Sequence, residues 1–195
     1  ATLDTGDILL TEALPILATD TAQTLHDRLA TLGASAIVTA LTALEQGLLT
    51  PRPQDHLLAT YAHKLEKREA IIDWSQSATD LANRVRAFNP WPVAQSTLKG
   101  TPWRIWSATA VPPPATANPT GSTATANTTA TQASGESTAT ETAAPGTLLT
   151  CSADGLHVAT GQGILSLTQL QRPGGKPLPV AQLLNAWSFQ PGDRF

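Results

Sequence analysis

A chain of 195 residues with 41% hydrophobic content is long enough for one comfortable domain or two small ones, and apolar enough to bury a core. Its formal charge of -3 argues against a protein that grips polyanions by bulk charge, and its single cysteine, Cys151, excludes an internal disulfide and a multi-cysteine metal site, so metal chemistry is not expected. Neither a basic-then-apolar leader nor an apolar run near bilayer-spanning length is read in it, which makes a soluble cytoplasmic protein the expectation.

The chain opens ATLDTGDILLTEALP, placing the loop Asp4-Thr5-Gly6-Asp7 ahead of any strand or helix that could hold it. Asp4 is then either an ordinary turn carboxylate or part of a larger catalytic domain whose earlier portion lies upstream. Asp-Thr-Gly also occurs in aspartic proteases, but that chemistry needs two such carboxylates sharing a proton, and no second Asp-Thr-Gly follows. Residues Ile8 to Ile16 read as a short apolar strand closed by Pro15. A helix is expected next: Asp20 as N-cap with Gln23 three residues on, and Leu25, Leu29, Leu32, Ala36, Ala40, Leu41, Leu44 and Leu48 at helical spacing until Gly47 stops it. One strand and one helix cannot satisfy their own backbone edge and apolar stripe. The first 50 residues therefore read as the tail end of an α/β domain.

Residues 51–68, with Pro51, Pro53 and a mixed polar stretch, read as a linker. Ser77 then caps a helix with Asp80 at its third position and Leu81, Val85 and Phe88 along one face, and Asn89-Pro90-Trp91-Pro92 ends it. Five short strands follow: Val93 to Leu98, Pro102 to Ala110, Thr147 to Cys151, Leu156 to Thr160 and Ile164 to Leu170, with turns at Lys99-Gly100 and Asp154-Gly155. They suggest a small barrel. Pro179 to Trp187 reads as a short closing helix. Between the second and third strands, residues 112–146 are almost entirely Ala, Thr, Ser, Gly, Asn and Pro, a composition that cannot offset its ordering entropy and is expected to be a disordered insertion. Charge is uneven: Tyr61 to Val111 carries seven Lys and Arg against four Asp and Glu, so the middle of the chain is its basic part.

Taken in order, LDTGDILL, DTAQTLHDRLATLG, ATYAHKLEKREAIIDWSQSATDL, RAFNPWP, GQGILSLTQLQ, LLNAW and PGDRF resemble the methionyl-tRNA formyltransferase family over nearly the whole chain apart from the Ala/Thr-rich insertion. The resemblance implies an α+β organisation: the last strand and helix of a Rossmann-like formyltransferase domain in residues 1–50, the linker in 51–68, and an OB-fold-like β-barrel domain that binds tRNA in 69–195. It implies transfer of a formyl group from 10-formyltetrahydrofolate to the amino group of methionyl initiator tRNA, by a monomer. Asp4 matches the family's catalytic aspartate, which would orient and charge-stabilise an imidazole or relay a proton through water. The family's Asn-x-His pair would lie upstream, since none of His26, His56, His63 or His157 has an Asn two residues before it. These residues alone are accordingly expected to be inactive.

For tRNA, Lys64, Lys67 and Arg68 of the linker region and Arg84 and Arg86 of the helix could contact phosphate, with Lys99 and Arg104 on a barrel face. Trp74, Trp91, Trp103, Trp106 and Trp187 could stack on bases, although core packing is the commoner use, and Trp91 between two prolines reads as a packing wedge. Two alternatives stay open. One is a non-catalytic RNA-binding module, and the other is a formyltransferase acting on a sugar-nucleotide amine.

Overall fold

A computed structural model describes residues 3–111 and 143–195. Most of the insertion read at 112–146 lies outside the described residues. The architecture is mixed α+β, with helix α1 (Ala22–Glu45), helix α2 (Ala78–Ala87), strands β1 (Ala94–Leu98), β2 (Thr101–Val111), β3 (Leu148–Ser152), β4 (Gly155–Ala159), β5 (Ile164–Gln171) and β6 (Leu178–Pro179), and the short helix α3 (Val180–Leu183).

Helix α1 is capped one residue later than expected. Thr21 Oγ1 accepts from the Thr24 amide at 3.2 Å, and Thr24 Oγ1 accepts from the Thr21 amide at 2.9 Å, a reciprocal capping box. Asp20 is diverted to the preceding turn, where it accepts the Leu17 amide at 2.7 Å and pairs with Arg28. The Leu17 amide is the main reason its carboxyl is held below the ordinary range, with Arg28 and Thr24 adding to the effect. No residue of α1 is fully buried, and Leu29, Ile37, Val38, Leu41 and Leu44 stand exposed. By length and composition α1 is long and apolar enough to cross a bilayer. That differs from the expectation of no such run, because Ala, Thr and Gly dilute its bulky residues while few charges interrupt it. The strand expected over Ile8 to Ile16 shrinks to one antiparallel bridge between Ile8 and Arg52. A ladder needs a neighbour, and among the described residues only this returning segment supplies one.

The second half packs around an antiparallel sheet in the order β1-β2-β5-β4-β3, with β6 also paired to β5. All five expected strands are present within a residue or two. Leu81 and Val85 of α2 are 0% and 1% exposed and join Trp103, Ile105, Leu156, Leu165, Leu167 and Leu170 in one core. At roughly 1.5–3 kcal/mol for each large apolar side chain, this burial is the main stabilising contribution of the unit. Ser77 caps α2 as expected, accepting the Asp80 amide at 3.1 Å. The closing helix is shorter than Pro179 to Trp187: Val180–Leu183 is helical, and the next residues run into turns after a Pro179 N-cap that makes no side-chain bond.

The expected closed barrel is not found. Among the described residues β1 and β3 do not pair, and other segments cover their outer edges. On β1, the Ile72 amide donates to Gln95 O at 2.9 Å. On β3, the Leu148 amide donates to Asp193 O at 2.7 Å and Leu148 O accepts the Gly192 amide at 2.8 Å. The C-terminal segment thus borders β3, and its Asp193 carboxylate reaches Lys99 Nζ, in the β1–β2 turn, at 2.8 Å. Phe195 packs on Trp74 with ring centroids 5.6 Å apart.

Two consequences are measurable. The Gly161 amide donates to Trp74 O and Gln76 O, and a Cβ there would lie 1.7 Å from Ser75 O. Gly161→Ala should therefore lower stability by roughly 2–4 kcal/mol in chemical denaturation. Lys99 chiefly holds the Asp193 carboxyl below its ordinary value of 3.8, helped by the Gln190 amide. A depressed carboxyl contributes stability above its ordinary value, and that stability is lost as pH falls through the lowered one. Between about pH 6 and pH 3, the Tm of the unsubstituted chain should fall further than that of Asp193→Asn.

Candidate functional site

The Asp4 loop is exposed, and Asp4 itself lies in the left-handed region at φ 59, a conformation costing roughly 1–2 kcal/mol for most side chains but tolerated by Asp. What holds it comes from the segment expected to be a bare linker. The Ile8 amide donates to Arg52 O at 2.8 Å and the Arg52 amide donates back at 3.0 Å. Arg52 Nη2 donates to Thr11 Oγ1 at 3.3 Å. Two residues on, Gln54 Nε2 donates to Asp4 O at 3.1 Å and to Gly6 O at 2.6 Å. Nothing in the sequence singled out Gln54, because a lone glutamine after Pro51-Arg52-Pro53 carries no periodic or motif signal.

The expected basic residues fall in two groups. Lys64 lies in an exposed stretch without regular secondary structure, and Lys67 and Arg68 lie in the 3-10 turn Lys67–Ala70. Arg68 Nε is 2.7 Å from Glu66 Oε2, which offsets part of its charge. Arg84 and Arg86 sit in the last turn of α2, half-buried. Arg86 bonds Asn83 Oδ1, while Arg84 adds a small attraction at Asp73, whose carboxyl is lowered mainly by the Ser75 hydroxyl and amide. Lys99, read as a barrel-face cation, is committed to Asp193.

Around Arg86 the start of α1 and the end of α2 enclose a cleft of about 440 Å³, with Ile16, Leu17 and Leu25 on one side and Asn83, Arg86 and Ala87 on the other. The Gln23 backbone amide donates to the Asn89 main-chain carbonyl at 3.3 Å, and Asn89 Nδ2 donates to Trp106 O at 3.0 Å, so one residue, through its backbone and its side chain, ties α1 to the sheet. Val93, just beyond the Asn89-Pro90-Trp91-Pro92 turn, is buried at φ 68, and its amide bonds Phe88 O at 2.9 Å. A β-branched residue in that conformation is strained by roughly 1–3 kcal/mol, held here by the core around it.

A second cleft, of about 260 Å³, lies between Arg104 of β2 and Arg172 beyond β5, floored by Trp103. Arg172 was not anticipated, since it stands alone beside Pro173-Gly174; its guanidinium lies 5.9 Å from the ring centroid of Trp187. Trp74 and Trp103 are core residues, Trp74 donating to Ser96 Oγ at 3.0 Å, and half-buried Trp106 donates to Gln171 Oε1 at 2.8 Å. Trp91 is 50% exposed and Trp187 37%, so Trp91 is not the packing wedge expected from its flanking prolines, and these two indoles are the accessible ones. Among the described residues no group of three or more His, Cys, Asp or Glu side chains converges on one point.

Residues 64–187 match the formyl transferase C-terminal domain. The chain is 45% identical over 194 residues to a methionyl-tRNA formyltransferase of Stutzerimonas stutzeri, covering 98% of this chain and 53% of that protein. It is 44% identical to one of Methylobacillus flagellatus, covering 99% of this chain and 54% of that protein. The chain therefore spans about half the length of the curated relatives it matches. Its fold is similar to that of HypX from Aquifex aeolicus, crystallised in complex with tetrahydrofolic acid, with a TM-score of 0.58 at 18% identity over 98% of this chain and 32% of that one. In iodide quenching, Trp91→Phe should remove more of the quenchable indole emission than Trp103→Phe.

Proposed function

This chain belongs to the formyl transferase C-terminal domain family, and from that premise we propose that it works within a methionyl-tRNA formyltransferase, as its tRNA-gripping portion. The observation that carries the proposal is 45% identity sustained over 98% of the chain. The division proposed is residues 1–50 as the end of the catalytic domain, 51–68 as a linker that also ties back to the Asp4 loop, and 69–195 as the tRNA-binding domain.

The reaction is acyl transfer from a folate donor, 10-formyltetrahydrofolate, to the amino group of methionyl initiator tRNA. It passes through a tetrahedral intermediate that needs an unprotonated amine, donors aimed at the developing oxyanion, and proton movement from the attacking nitrogen to the leaving one. Asp4 is assigned to that proton traffic, orienting and charge-stabilising an imidazole from the half of the relatives that this chain does not span. It cannot supply oxyanion donors alone, so the 195 residues by themselves should give no turnover. Lys64, Lys67, Arg68, Arg84 and Arg86 are assigned to tRNA phosphates, which position the acceptor end without reading sequence. The protein is proposed to act as a cytoplasmic monomer.

The test is filter retention of methionyl initiator tRNA by the 195-residue chain over a salt series, beside a variant with Lys64, Lys67, Arg84 and Arg86 replaced by Ala. Binding should weaken steeply with salt, and the variant should lose much of that slope, by about 0.7–0.9 for each phosphate contact removed. No binding by a folded chain would contradict the tRNA assignment. Formyl transfer by these residues alone would contradict the assignment of essential chemistry to the other half.

A further inference from the structure

We propose that Gln54 is a positioning residue for the Asp4 loop, an inference that rests on the catalytic role proposed for Asp4. One primary amide carries two N–H donors, and both of Gln54's are used on carbonyls two residues apart in the loop, Asp4 O at 3.1 Å and Gly6 O at 2.6 Å. Fixing those carbonyls fixes the Asp4–Thr5 and Gly6–Asp7 peptide planes, and with them the direction in which Asp4, left-handed at φ 59, presents its carboxylate. The loop needs such a clamp. It is exposed, and Gly6 has nothing within 4 Å of where a Cβ would stand, so packing does not hold it.

The clamp is itself anchored. The paired bonds between Ile8 and Arg52 set the register that brings Gln54 beside the loop, and Arg52 Nη2 on Thr11 Oγ1 extends the tie. The segment leading out of the N-terminal region toward the basic residues thus doubles back to set the geometry of the acidic loop. Asp4 would touch the reacting groups, whereas Gln54 acts only through Asp4.

The discriminating substitution is Gln54→Glu. An ionised carboxylate of the same size accepts only, so two donations become two repulsions without a cavity. In a chain of the relatives' full length carrying these 195 residues, Gln54→Glu should lower the kcat of formylation on the order of 10- to 100-fold, as small misplacements of reacting groups do. KM for both substrates and Tm should stay essentially unchanged, and Gln54→Ala should fall between the two. An unchanged kcat would overturn the proposal, as would a loss of kcat matched by a fall in Tm, which would mark a merely structural contact. If the unsubstituted full-length chain formylates nothing, the proposed function fails while the clamp is still decided by amide NMR. Shifted resonances and faster exchange at residues 4–8 in Gln54→Glu uphold it, and an unaltered loop refutes it.

Discussion

An antiparallel sheet with two open edges is a template for unwanted pairing, and the way this chain covers those edges organises everything else in it. Ile72 borders β1, and Gly192 and Asp193 border β3. The same C-terminal segment ties Asp193 to Lys99 and lays Phe195 on Trp74. A ladder that would otherwise have to close on itself is completed by irregular chain. With its edges covered, β2 and β5 can bury both Leu81 and Val85 of α2 and their own inward residues in a single core.

That core fixes the position of α2, and α2 fixes the parts proposed to work. Its last turn carries Arg84 and Arg86, its end enters the strained backbone at Val93, and Asn89 between them bonds the sheet on one side and the start of α1 on the other. The connection to the acidic loop is separate and lighter. It runs through Arg52 and Gln54, by hydrogen bonds between exposed groups. Helix α1 contributes little burial among the described residues, so the two halves differ in kind: one is packed, the other polar-tethered.

Local chemistry made much of this legible in the sequence. Gly100 and Gly155 mark turns because glycine tolerates the backbone that tight hairpins need, and the strands on either side fell where those turns put them. Ser77 with Asp80 marked α2 for a similar reason. The largest failures were long-range. Whether strands close into a barrel depends on what reaches their edges, and neither Ile72 nor Gly192 advertises that role. The clamp at Gln54 depends likewise on partners distant in sequence. The cap of α1 was missed for a local reason: Asp20 is a good cap in isolation, but the nearby Leu17 amide and Arg28 drew it away and left the cap to Thr21. The family was legible only because many short motifs occur in one order.

The most direct test of the account is hydrogen exchange on the 195-residue chain with and without methionyl initiator tRNA. In the free chain, amides of β2, β5 and α2 should exchange slowest, through global unfolding, with α1 well above them in rate. On adding tRNA, protection should rise at residues 64–68 and around the end of α2, leaving the β3–β4 hairpin unaltered. Protection confined to β3–β4, or none anywhere despite saturating tRNA, would contradict the proposed surface and the division of labour built on it.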